Sequence, residues 1–82
     1  MADTSPIELF HATNDADSAA ARKHVVDRDL VDKVRFRNIF YAEVLADFGA
    51  RGGTALPAIW DGEHLVSGLT AVEKFLDALA GR

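Results

Sequence analysis

The chain has no cysteine among its 82 residues. That absence excludes disulfides, thiolate catalysis, and zinc or iron–sulfur sites held by cysteine. Proline is scarce, with two residues, and there is one tryptophan. Positive charge is also in short supply. Nine basic residues face 13 acidic ones, for a net charge of −4. A general nucleic-acid binder would show a basic stripe, so no nucleic-acid partner is expected. Only Arg35 and Arg37 concentrate positive charge, and their spacing reads as one solvated face of an edge strand. Long apolar runs are missing too. None approaches the ~20 residues needed to span a bilayer, so no membrane role is expected. Residues 1–6 are polar and acidic, without the basic start and apolar run of a secretory signal. They read as a short tail, and the expected location is cytoplasmic.

What is present fits a small globular domain over residues 7–80. Hydrophobic residues make up 49% of the chain and charged residues 27%, an ordinary balance. A domain of this size buries only about 60% of the surface its unfolded chain exposes. With disulfides excluded, an apolar core must hold it, and a partner surface or self-association could complete that core. A homo-oligomer is therefore one option.

Ile7-Glu8-Leu9-Phe10 reads as a first strand. Asn14 to Ser18 is a cluster of helix N-cap formers, and the following helix runs to about Arg28 or Asp29. Ala21, Val25 and Val26 form its buried stripe. Val34 to Ile39 alternates as a second strand. Tyr41, Val44, Leu45 and Phe48 recur at helical spacing, with Gly49 and Gly52-Gly53 ending that helix. Pro57 precedes a strand over Ala58-Ile59-Trp60. Asp61-Gly62 signals a hairpin turn, with Glu63 to Val66 as the returning strand. Leu69, Val72, Phe75, Leu76 and Leu79 mark a last helix, and Thr70 and Glu73 have capping-box spacing at its start. Trp60, Phe36, Phe40, Phe48 and Phe75 read as core aromatics. The order is β-α-β-α-β-β-α: an α/β domain with a four-stranded mixed sheet and helices on both faces.

This order resembles the minimal thioredoxin fold in its glutaredoxin form, from Ile7 to about Leu79. Ile7–Phe10 looks like the family's first strand. Asp15-Ala16-Asp17-Ser18 occupies the C-x-x-C place. Ala55-Leu56-Pro57 looks like the T-V-P segment, with Pro57 in the cis-proline position. Asp61-Gly62 looks like the hairpin turn and Ser67-Gly68 like the G-G before the last helix. The N-terminal domain of glutathione S-transferases is a second resemblance.

The resemblance implies where a site would lie. In the family, the residue before the cis-proline offers its backbone to an extended peptide or to glutathione, and here that residue is Leu56. Ser67, Gly68 and Thr70 fall where glutaredoxins hold the γ-glutamyl end of glutathione, although Thr70 replaces the family acid. Asp15 and Ser18 fall on the redox-motif positions. A carboxylate there has no redox chemistry and naturally caps the helix. His11 lies nearby, so a His11/Asp15/Ser18 constellation is conceivable, but no oxyanion hole is legible for it. The three histidines lie on different elements, and no metal site is expected. No resident cofactor is implied, with glutathione as the one small-molecule ligand to consider.

The leading expectation is a non-catalytic domain that binds a peptide, a partner protein or a glutathione-like ligand beside Pro57. The alternatives are a thiol-independent, glutathione transferase-like enzyme and a structural, self-associating module.

Overall fold

β1 (Glu8–His11) alternates between two apolar layers, and this alternation organises the molecule. Leu9 points to one face and Phe10 to the other, and both are fully buried. The computed structural model describes residues 7–81, so the expected tail over residues 1–6 lies outside the described residues. β1 is followed by α1 (Ala16–Asp27), β2 (Arg35–Asn38), α2 (Ala42–Ala50), β3 (Ala58–Trp60), β4 (Leu65–Ser67) and α3 (Leu69–Ala80). This is the β-α-β-α-β-β-α order read from the sequence. The sheet order is β2-β1-β3-β4. β1 pairs parallel with β2 and antiparallel with β3, and β3 pairs antiparallel with β4.

Leu9 and Ile59 meet Ala21 and Val25 of α1 and Val72, Leu76 and Leu79 of α3 on one face. Phe10 and Ala58 meet Val44 and Phe48 of α2 on the other. The architecture is thus a mixed sheet between two helices and one, in the minimal thioredoxin-like topology. The Cα atoms span 32 × 32 × 18 Å, and α2 is alone on its face of the sheet among the described residues.

Two helix ends are closed by the same device. After α2, Gly53 N–H donates to Phe48 C=O at 2.8 Å and Gly52 N–H to Gly49 C=O at 3.0 Å. Gly52 has φ +84°, as the left-handed closing residue of this motif requires. Gly53 is constrained for another reason: a Cβ there would run into the Phe48 ring. After α1, Leu30 N–H donates to Val25 C=O at 2.9 Å and Asp29 N–H to Val26 C=O at 3.0 Å. Here the left-handed residue is Asp29, with φ 59°. An L-residue is disfavoured there and glycine is not. Asp29→Gly is expected to raise stability by about 0.5–1 kcal/mol, read as a later urea midpoint at unchanged slope.

Several local expectations are corrected. Gly49 lies inside α2, because Arg51 and Gly52 form the actual stop. The β3–β4 hairpin turns at Asp61-Gly62 as expected, but the returning strand starts at Leu65 rather than Glu63. Residues 61–64 form the loop, in which Asp61 Oδ1 accepts from Glu63 N–H at 2.8 Å and His64 N–H at 2.7 Å. The expected capping box of Thr70 and Glu73 is absent. Gly68, with φ +96°, takes the N-cap of α3 without a side-chain bond, and Thr70 lies within the helix. Val26, Phe36 and Phe40 are exposed rather than core, Phe36 the least so.

Candidate functional site

Three segments meet at the sheet end where β1 finishes and β3 begins. Phe10 pairs with Ala58, so His11 and Pro57 are the next residues on the two strands. The Leu56–Pro57 peptide bond is cis. Pro57 C=O accepts from Gly68 N–H at 2.9 Å, which ties the proline to the start of α3. The turn from β1 into α1 brings Asp15 and Ser18 to the same end. The sequence-derived positions therefore share one region of the fold.

Within that region the side chains of Asp15, Ser18 and His11 are engaged by neighbouring groups. Asp15 is the N-cap of α1, and its Oδ2 accepts from Ser18 N–H at 2.9 Å. Ser18 is fully buried, and its hydroxyl oxygen accepts from Ala12 N–H at 3.1 Å. The Arg22 guanidinium lies 3.0 Å from both His11 Nδ1 and Ala12 C=O. Arginine can only donate, so His11 Nδ1 is the acceptor and the neutral ring carries its proton on Nε2. Phe36 lies edge-on to the His11 ring, with centroids 5.7 Å apart.

His11 is therefore a held neutral residue. Burial, and then the charge of Arg22, push its pKa below the ordinary histidine value of 6.5. Among the described residues, no hydrogen bond links the side chains of His11, Asp15 and Ser18 to one another. These three residues do not form a nucleophile–base relay.

A titration follows from this geometry. The folded state binds fewer protons at His11 than the unfolded chain between the lowered pKa and 6.5. The stability it contributes is complete above pH 6.5 and is lost as pH falls through the folded pKa. Ring-proton NMR should place the His11 midpoint below 6.5, and a midpoint above that value would contradict the Arg22 contact.

On the other side of Pro57, the backbone is open. Among the described residues, the N–H and C=O groups of Thr54, Ala55 and Leu56 have no hydrogen-bond partner. The Leu56 side chain packs against the Phe10–Phe48 cluster, which anchors the segment. Ser67 and Thr70 are exposed and Gly68 is half-buried. The first N–H groups of α3 have no side-chain cap, as helix starts usually do.

Two ionic clusters were not legible in the sequence. On the α2 face, Glu8 holds Arg37 through one oxygen and Arg51 through the other, the latter at 2.9 Å. Arg37 also reaches Asp47 at 2.8 Å. Arg51 stacks over Trp60 at 4.8 Å, and both guanidinium groups lie 5.5 Å from the Phe10 ring centre. Arg35 is exposed as expected, but Arg37 is not part of a solvated face. Between α1 and α3, His24 Nε2 donates to Asp77 at 2.8 Å, and Arg28 meets the same carboxylate at 2.9 Å. The His24 hydrogen bond leads in holding Asp77 below its usual carboxylate range.

Among the described residues, no group of three histidine or acidic side chains is arranged to hold a metal. No helix there is long and apolar enough to cross a membrane. No family model matches the chain, and no curated protein or solved structure matches it.

Proposed function

We propose that the chain is a cytoplasmic, non-catalytic, glutaredoxin-like domain that binds an extended peptide segment beside Pro57. The observation that carries this reading is the unpaired backbone of Thr54–Leu56. An extended guest can pair with such groups as an added strand. Ser67, Gly68 and Thr70 border the same sheet end through the Pro57–Gly68 hydrogen bond. The uncapped start of α3 suits a carboxylate at one end of the guest. Glutathione, itself a short peptide, is the smallest candidate ligand.

The non-catalytic part rests on the β1–α1 turn. Its hydroxyl, carboxylate and imidazole hold backbone groups and Arg22, and not each other. The test is an amide NMR titration with glutathione and with extended peptide libraries. Shifts at residues 54–56 and 67–70 are expected. Saturating ligand without shifts there would overturn the reading. Conjugation of glutathione to an electrophile would favour a transferase-like enzyme instead.

A further inference from the structure

The helix α2 is apolar on both sides, and only one side is covered. Val44 and Phe48 face the sheet and are buried. On the opposite side Ala42, Leu45, Ala46, Gly49 and Ala50 are all exposed. Phe40 and Tyr41, just before the helix, are each 64% exposed, and Leu45 is 51% exposed. Surface helices normally carry charged residues on the outer face, and a helix apolar all round is normally buried. α2 has only Glu43 and Asp47, and Asp47 is engaged by Arg37.

We propose that this face packs against the same face of a second copy, with the two α2 helices antiparallel across a two-fold axis. Three observations favour a second copy. First, the face is self-complementary in charge. Glu43, at the start of α2, has no side-chain partner among the described residues, and neither has Arg35. α2 runs back from the end of β2, so Arg35 lies level with its C-terminal end, on the flank that also carries Asp47 and Glu43. A two-fold axis across the helices keeps that flank on the same side and reverses the helix direction. The acidic start of one copy then faces the basic end of its mate, twice.

Second, antiparallel helix dipoles add favourably, and the alanines and Gly49 permit close approach of the two backbones. Third, among the described residues α2 is the one helix on its face of the sheet, against two on the other. A standard interface takes about 800 Å² from each partner, roughly a sixth of the 4740 Å² this chain exposes. Three of the six exposed large hydrophobic side chains among the described residues, Phe40, Tyr41 and Leu45, lie together on the α2 face, where such an area would have to be found. The interface shares no residue with the backbone edge at Thr54–Leu56, so the Ala46 and Glu43 variants test it without altering that edge.

Sedimentation equilibrium from about 1 µM to 1 mM tests the proposal. A monomer–dimer equilibrium is expected in that range, a span common for modest interfaces. Ala46→Glu at the centre should weaken association at least about tenfold, because two like charges then meet away from water. The outer position of Ala46 leaves the monomer's circular dichroism unchanged. Glu43→Arg should weaken the dimer, and adding Arg35→Glu should recover it. A strict monomer at 1 mM, about the upper end of that range, overturns the proposal. So does a dimer indifferent to Ala46→Glu, and an unrecovered double variant overturns the antiparallel arrangement.

Discussion

Replacing Glu8 with alanine is expected to destabilise the domain by about 3 kcal/mol, the largest single loss outside the apolar core. The reason is what the substitution leaves behind. Both Glu8 and Arg37 side chains are only 12% exposed, and Glu8 serves Arg37 and Arg51 at once. Without it, two guanidinium groups remain packed over Phe10, and among the described residues Arg37 keeps Asp47 while Arg51 keeps no carboxylate partner. Burial alone would lower the Arg37 pKa. The hydrogen bonds it donates to Asp47 and Glu8, with their charges, outweigh it and raise the pKa above the ordinary arginine value. Arg37 therefore keeps its charge and cannot escape the cost by releasing a proton.

A surface ion pair would give at most about 1 kcal/mol, and salt would screen it. The Glu8 network is expected to give more and to respond weakly to salt. Urea unfolding of wild type and Glu8→Ala, at low and high sodium chloride, separates the cases. A loss under about 1 kcal/mol, erased by salt, would mean the pair behaves as a surface contact. For a domain of this size the expected loss is a large fraction of the total stability.

That network also lies beyond what local sequence pattern conveys. Local periodicity was enough for the element order, because apolar alternation and helical spacing are short-range signals. It placed Arg35 and Arg37 on one strand face, and the β1–β2 register agrees, since both pair with residues on the Glu8–Phe10 face. It could not separate their fates. Arg37 meets Glu8, 29 positions earlier, and Asp47, on the next helix. Such partners are chosen by the fold, not by spacing. The same holds for Phe40, whose type suggests core but which lies at a loop tip before α2 with most of its surface exposed. The cap of α3 was misplaced by competition. Thr70 and Glu73 had the right spacing, but Gly68 enters with φ +96° and starts the helix first.

The candidate site was legible in its positions and not in its bonding. Pro57, Gly68, His11, Asp15 and Ser18 are brought to one end of the sheet by strand pairing. Proximity follows from topology, which periodicity conveys. Which groups remain open depends on Arg22, a helix residue with no motif to mark it. Its guanidinium takes both the His11 nitrogen and the Ala12 carbonyl. Together with Ser18 it satisfies the Ala12 backbone on the β1–α1 side, whereas the backbone of Thr54–Leu56 stays unpaired on the other.

The second large effect concerns the β1–α1 turn. Asp15→Cys is expected to yield a thiol titrating at least about one unit below the ordinary value near 8.5. The Asp15 carboxylate already accepts from Ser18 N–H at the N-cap. A thiolate in its place meets the same donor and the positive end of α1. Arg22 adds positive charge to the same turn, whereas neutral His11 adds none. The pH dependence of iodoacetamide alkylation reads the midpoint, with Thr13→Cys in the exposed part of the turn as the ordinary reference. The variant at position 15 should also lose about 1 kcal/mol, since a thiol caps less well than a carboxylate. If the thiol at position 15 titrates like the one at 13, the helix start offers no special stabilisation to an anion. The likeness to a redox-motif position would then be one of chain order alone, and the comparison with glutaredoxins would rest on the topology and on the proposed, separately testable edge at Leu56.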